Sequence, residues 1–206
     1  MSQIFSLFHC RFKNNPYLCN RQHKAIRSDK DMTLDITKIK AGFPGVSPVT
    51  AAHLYEAFMV CMNHHSHPLE IGLSVDGQKE DAVVKWENAC DDTILRTYAD
   101  MQYTTEHGAV CLSLMLTTVF TPFTIIERSR KGTGFDYWLG DKDSVLFQKK
   151  ARLEVSGILQ GDDTAMMNRF NAKVIQTEQS DDTALPAYIS IIEFSRPKAI
   201  FKTKQQ

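Results

Sequence analysis

The sequence predicts a mixed α/β (α+β) fold, and three observations lead to that expectation. The second half of the chain contains segments with helix and strand periodicity in the order αβββαβ. The last of these strands, at 187–195, is a nearly continuous apolar run. Such a run is typical of a strand buried on both faces in the middle of a mixed sheet covered by helices. The first half adds a capped helix and a hairpin.

The first half begins with a helix and continues with two strands. Ser47 is a suitable N-cap, Pro48 fits the first helical position, and apolar residues follow at helical spacing. Residues 70–77 alternate between apolar and polar side chains and end in an Asp-Gly turn, so we expect residues 81–87 to pair back as a hairpin. Acidic residues at the start of 91–102 suit the N-terminus of a second helix.

The second half is expected to form two helices and four strands. Its first helix is strongly apolar and precedes three strands, the first two of which are joined by a glycine-containing turn. Two acidic residues open the second helix, and a polar loop leads to the final strand. The predicted helices are 105–120 and 162–179, and the predicted strands are 123–129, 135–140, 147–159 and 187–195.

Length and composition allow one sizeable core with an appended subdomain. The chain has 206 residues, of which 43% are hydrophobic. We divide it into a basic N-terminal tail at 1–31, an N-terminal α+β subdomain at 32–101 and a core at 102–206. The tail is poorly periodic. We expect it to be disordered, or to be an upstream extension of a chain that starts at Met32.

Charge and cysteine usage narrow the functional classes. The 24 Lys and Arg residues balance 24 Asp and Glu residues, so any nucleic-acid site must be a local patch. The longest apolar run, at 109–120, is shorter than the roughly 20 residues that a bilayer span needs, so we expect no membrane association. The five cysteines are odd in number, irregularly spaced and not preceded by a signal peptide, which favours a reducing, cytoplasmic setting.

Two groups of metal-binding residue types are better explained without a metal. The cysteines and histidines between residues 9 and 23 lack the close Cys pair of structural zinc sites, so we interpret this segment as a basic arm. Three histidines at 64–67 follow the first helix. Imidazoles suit a helix C-terminus and a polar turn, and we prefer that interpretation to a metal site.

Two acids lie inside apolar strands of the second half. Alternation places Glu154 on one strand face with Arg152 and Ser156, and Asp136 on a face with Trp138. An ionised carboxylate in a sheet is unfavourable unless it is paired, and two neighbouring carboxylates need a cation between them. Hard oxygen ligands favour Mg²⁺ or Mn²⁺ over zinc. Such an ion activates water and neutralises charge on a phosphate, as phosphodiester hydrolysis requires.

Further polar side chains are expected near these acids. Glu106 lies in the first turn of the predicted helix at 105–120, so it is either a third metal ligand or a partner of the helix dipole. Arg169, Lys173 and Gln176 share one stripe of the next helix. This stripe either contacts a scissile phosphate and the attacking water or is a solvated helix face.

A basic turn leads to Asp136 in the sequence. Residues 130–134 include two glycines, which allow a nucleic-acid backbone to approach closely. Cations in and next to this turn form a local patch that we expect to bind nucleic acid. They are Arg128, Arg130 and Lys131.

The αβββαβ order, with one acid in the second strand and one in the third, resembles the core of the PD-(D/E)XK nuclease superfamily, which includes many restriction endonucleases. The resemblance covers roughly residues 102–196. It implies that Asp136 and Glu154 bind Mg²⁺ and that Glu106 corresponds to a helix glutamate found in some branches. It also implies a restriction-endonuclease-like fold and a Mg²⁺-dependent endonuclease acting on DNA, in restriction or phage defence.

The third strand departs from the motif of that superfamily. Ser156 stands where the family has the lysine of an E-x-K triplet, which helps activate water. Some members carry this lysine on the next helix, and Lys173 is the candidate for such a migrated group.

Three functional hypotheses follow from these residues. The first is a metal-dependent nuclease, or nuclease-like subunit, that hydrolyses DNA phosphodiester bonds. The second is a non-catalytic nucleic-acid-binding or scaffolding subunit with the same fold, acting as a homo-oligomer or with a partner subunit. The third is an unrelated α/β interaction protein whose strand acids pair with Arg152 and Arg169.

Overall fold

The structure is a computed structural model that describes residues 32–87, 90–143 and 146–204. The predicted tail at 1–31, with its cysteines and histidines, lies outside the described residues. No helix in the described ranges is long and apolar enough to cross a membrane.

A single mixed sheet of eight strands runs through the described part of the chain. The strands stand in the order β1-β3-β2-β8-β7-β6-β5-β4. The mixed α/β expectation is therefore confirmed. The strands are β1 Met32–Asp35, β2 Glu70–Asp76, β3 Ala82–Lys85, β4 Phe123–Arg128, β5 Tyr137–Asp141, β6 Ala151–Ile158, β7 Ala187–Glu193 and β8 Lys198–Thr203.

Parallel and antiparallel pairs are both present in the sheet. β4, β5 and β6 form an antiparallel meander, whereas β6 and β7 are parallel. β8 is antiparallel to β7 and parallel to β2. β2 and β3 form the predicted hairpin, and β1 adds in parallel to β3.

Four α-helices complete the described fold, and short polar side chains cap their N-termini as expected. Ser47 Oγ accepts a hydrogen bond from Thr50 N, as the sequence predicts, and Asp91, Asp100 and Asp162 cap the next three helices in the same way. The helices are α1 Pro48–His64, α2 Asp92–Thr97, α3 Met101–Phe120 and α4 Asp163–Thr177, and two 3-10 helices span Ile36–Ala41 and Glu178–Thr183.

Helices cover both faces of the central strands. Leu153 and Val155 of β6 belong to the main hydrophobic cluster, which includes residues of α1 and α3. Ile189 and Ile191 of β7 pack in a second cluster with Met166 and other residues of α4. Alternation along β6 therefore directs Arg152, Glu154 and Ser156 toward α4.

Three details differ from the sequence-based expectations. The strand predicted at 187–195 is not the last, because β8 inserts between β7 and β2. The strand predicted at 147–159 starts at Ala151. The sequence predicts Asp136 inside a strand, but β5 starts one residue later; Asp136 still binds β6 twice, because its N donates to Leu153 O and its carboxylate accepts from Val155 N.

The predicted domain boundary at residue 101 stays a prediction. The strands of the first half continue the same sheet, and the main hydrophobic cluster contains residues from both sides of the boundary, including Leu73, Val84, Leu112 and Leu153.

Candidate functional site

A cavity of about 300 Å³ lies between α3 and α4 beside the second half of β6. β5 begins opposite Leu153, so the part of β6 from Glu154 onward has no strand partner on that side within the described residues. The gap in the sheet leaves room for the cavity. Among the residues that line it are Glu106, Arg128, Asp136, Ser156, Arg169 and Lys173.

The two predicted strand acids lie next to each other at this cavity. Val155 N donates a hydrogen bond of 2.8 Å to Asp136 Oδ2, so this carboxylate occupies the position of a missing strand partner. Burial raises the pKa of Asp136, while this hydrogen bond and the charge of Lys173 oppose the rise. Burial and the Asp136 carboxylate raise the pKa of Glu154 to about 7, although Lys173 acts against this rise.

One oxygen of this acid pair lacks a donor. Glu154 is 1% exposed, and its Oε2 is buried with no hydrogen-bond partner in the described part of the chain. The neighbouring Asp136 carboxylate is also an acceptor when ionised, so it cannot donate a hydrogen bond to this oxygen. Either a proton shared within the pair or a bound cation satisfies Oε2. The donor set therefore fits a hard divalent ion such as Mg²⁺ or Mn²⁺.

Lys173 supplies a cation from α4. Its Nζ lies 2.5 Å from Glu154 Oε1 and 2.9 Å from Gln176 Oε1. Gln176 Nε2 also donates to Glu154 Oε1 at 2.9 Å. Two members of the predicted helix stripe thus bind the strand acid, which contradicts the solvated-face interpretation for them.

The arginines make other contacts. Arg169 Nη1 donates to Ser156 Oγ at 2.8 Å and keeps the guanidinium at the cavity wall. Arg152 is 2% exposed and donates to Ser180 Oγ at 2.6 Å and to Leu185 O at 2.7 Å. Lys173, not these arginines, pairs with the strand acid Glu154, so the pairing in the third hypothesis is wrong.

The basic turn borders a second hollow of about 400 Å³, and Asp136 lies on the walls of both. Arg128, Arg130 and Lys131 line this second hollow. Gly134 has a φ of +80°, and a Cβ there would lie 2.2 Å from Gln176 O. Glycine therefore lets the turn pack directly against the end of α4.

Glu106 lines the cavity, but it is exposed. Because α3 begins at Met101, Glu106 is in the second helical turn, not the first, and Asp100 takes the capping position. In the ranges that the structure describes, no group of three or more His, Cys, Asp or Glu side chains is placed to hold a metal ion. The three-acid metal set therefore stays a prediction.

Two of the three histidines after α1 contact backbone oxygens. His65 Nε2 lies 2.8 Å from Leu159 O, and His67 Nε2 lies 2.7 Å from Phe194 O. These contacts fasten the end of α1 to the ends of β6 and β7, which agrees with the interpretation of a structural turn.

Sequence patterns alone do not identify His107 as a residue of the site. It lines the cavity next to Glu106, and its Nδ1 lies 2.8 Å from Tyr103 O. Its position directly after Glu106 is the signal that could have pointed to it.

Comparisons with models of protein families, with curated proteins and with solved structures found no match for this chain. The resemblance to PD-(D/E)XK nucleases therefore stays a prediction, and function has to be argued from the site itself.

Proposed function

We propose that this chain is a metal-dependent nuclease, or nuclease-like subunit, that hydrolyses DNA phosphodiester bonds at the cavity between α3 and α4. The observation that carries the proposal is the 2.5 Å contact between Lys173 Nζ and Glu154 Oε1. This contact brings an amine from α4 to the strand acid whose own strand carries Ser156 in place of the family's lysine.

The order of elements supports the same proposal. α3, β4, β5, β6, α4 and β7 follow one another in the predicted αβββαβ order. Asp136 directly precedes the second strand of this series and Glu154 lies in the third. This is the distribution of acids on which the resemblance to the PD-(D/E)XK superfamily rests.

Asp136 and Glu154 would hold Mg²⁺ or Mn²⁺, with Glu106 at the cavity wall as a further acid. The ion, when bound, lowers the pKa of a water molecule and neutralises charge on the phosphate. Gln176 and Lys173 both donate to Glu154 Oε1, which fixes the carboxylate and leaves Oε2 available.

The cations at the cavity provide the remaining contacts. Arg169 and Arg128 line it and offer planar donors that suit phosphate oxygens. Arg130 and Lys131, at the adjoining hollow, extend the positive surface along the path of a nucleic-acid backbone. Lys173, which also lines the cavity, stabilises negative charge in the reacting group.

Cleavage of plasmid DNA in Mg²⁺ or Mn²⁺ tests the proposal. Asp136→Asn and Glu154→Gln should each reduce the rate by roughly 10²–10⁴-fold, because a metal ligand contributes several kcal/mol to stabilising the transition state. Asp163→Asn is the matched control, since this exposed α4 carboxylate pairs with Lys198 instead. Wild-type cleavage rates in either site variant would contradict the proposal, provided that circular dichroism shows both to be folded.

The second candidate function is a non-catalytic nucleic-acid-binding or scaffolding subunit. It is favoured by the lack of a third acid beside the pair among the described residues. For such a subunit, DNA affinity should persist in EDTA, fall steeply with salt and be unaffected by Glu154→Gln. Metal-dependent cleavage that is lost in Glu154→Gln would exclude it.

A further inference from the structure

Two aromatic rings on α3 contact each other, and one of them belongs to the cavity wall. Tyr103 and His107 are one helical turn apart, and their ring centroids are 3.9 Å apart with an interplanar angle of 32°. His107 lines the cavity that also contains Asp136 and Lys173. Tyr103 is 43% exposed although it is a large aromatic side chain. We call these two residues the aromatic pair.

Hydrogen bonds hold the aromatic pair in place. Tyr103 OH lies 3.1 Å from His53 Nε2, and His53 Nδ1 lies 2.8 Å from the hydroxyl of buried Tyr98. The imidazole of His107 is fixed by the contact of its Nδ1 with Tyr103 O at 2.8 Å. An exposed ring that is already fixed loses little conformational freedom when a ligand stacks on it.

The cavity has walls of different character. Leu54 and Val110 line it together with His107, whereas Asp136 and Lys173 belong to its polar wall. A nucleotide likewise has one apolar part and one charged part, because its base is a flat aromatic ring and its phosphate is a charged group. The volume of about 300 Å³ lies at the small end of ligand sites, which suits one nucleotide unit better than a duplex.

We propose that the aromatic pair binds a nucleobase that lies outside a duplex, by stacking, while the adjoining phosphate reaches Asp136 and Lys173. Bases inside a duplex stack on each other and do not offer their faces to a side chain, so the substrate must be single-stranded or must expose an unpaired base. This inference rests on the proposed function and deepens it by naming the strandedness of the substrate.

Binding of a single-stranded phosphorothioate oligonucleotide that contains 2-aminopurine tests the inference in Mg²⁺. Tyr103→Leu should weaken binding by roughly 5- to 150-fold, which corresponds to the loss of one base–aromatic stack, and should abolish quenching of the 2-aminopurine fluorescence. Tyr103→Phe keeps the ring and should behave like the wild type. Phe147→Leu is the matched control, because it removes an aromatic that is 62% exposed and is not part of the aromatic pair.

The outcomes separate this inference from the proposed function. If the wild type cleaves DNA but Tyr103→Leu binds, quenches and cleaves like the wild type, the nucleobase site is wrong and the nuclease proposal stands. If quenching depends on Tyr103 but no cleavage occurs, the nucleobase site stands and hydrolysis is wrong. If the oligonucleotide does not bind but plasmid DNA is cleaved, the nucleobase site is wrong and the nuclease proposal stands.

Discussion

Replacing Lys173 with methionine removes the cation beside Glu154 and keeps a side chain of similar length. The Glu154 side chain is 1% exposed and that of Lys173 is 21% exposed, so the pair is largely shielded from water. Removing one partner of a buried ion pair typically lowers the free energy of unfolding by about 3–5 kcal/mol, because the other charge stays buried. In this pair, however, Glu154 can take up a proton instead of remaining charged.

The protonation state of Glu154 determines how much unfolding free energy Lys173→Met loses at each pH. With a pKa of about 7 in the wild type, Glu154 is already neutral at pH 6, where Lys173→Met should change stability by less than about 1 kcal/mol. Above pH 7 the penalty should grow by about 1.4 kcal/mol for each pH unit, since the variant must protonate Glu154 to avoid a bare charge. We expect a loss of about 3 kcal/mol at pH 9.

Denaturant unfolding in EDTA at pH 6 and pH 9 measures this penalty. A double-mutant cycle with Glu154→Gln should give a coupling energy of about 3 kcal/mol at pH 9 and less than about 1 kcal/mol at pH 6. Lys204→Met is the matched control, because its partner Asp181 is 47% exposed, and it should lose under about 1 kcal/mol at both pH values. An equal loss for Lys173→Met at both pH values, or an undiminished loss when the Glu154→Gln substitution is also present, would refute the reasoning.

Three further predictions address the acid, the turn and the basic patch. Glu154 has a folded-state pKa above its ordinary 4.5, so its stabilising contribution is complete below pH 4.5 and is lost as the pH rises through about 7. The stability of Glu154→Gln relative to wild type should therefore rise between pH 4 and pH 9, by on the order of 3 kcal/mol. Denaturation of both proteins in EDTA at the two pH values measures this difference. Gly134→Ala should lower the melting temperature more than Gly132→Ala. Both glycines have positive φ, but an added Cβ at Gly134 would lie 2.2 Å from Gln176 O, whereas one at Gly132 meets nothing within 4 Å. If Arg130 contacts a phosphate, Arg130→Ala should reduce the slope of log affinity against log salt by about 0.7–0.9 in a DNA titration, and an unchanged slope would remove it from the interface.

Local signals in the sequence were sufficient for much of the helix and strand order. Ser47 and Pro48 mark the start of α1 because a short polar cap and a proline act within one turn. The spacing of Lys173 and Gln176 predicted a shared stripe, and both side chains contact Glu154. These predictions depend on near neighbours in the chain.

Long-range pairing could not be predicted in the same way. β8 contains three buried apolar residues, Ala199, Ile200 and Phe201, between two lysines. So short a run does not distinguish the periodicity of a strand from that of a helix. Alternation placed Arg152 on the face of Glu154, but its partners Ser180 and Leu185 come from a 3-10 helix and a loop distant in sequence. The open side of β6, and therefore the cavity, depends on where β5 begins, which only the register of the assembled sheet determines.

The position of β8 between β2 and β7 has a consequence for the order in which the chain folds. β2, at 70–76, lies against a strand at 198–203, so the ribosome must synthesise the intervening segments before the two can pair. At ordinary synthesis rates this delay is on the order of ten seconds, during which the edge of β2 is open to other chains. The charged residues Glu70 and Asp76 at its two ends disfavour such pairing, and the high sequence separation of this contact makes closure of the sheet a late, slow event in folding.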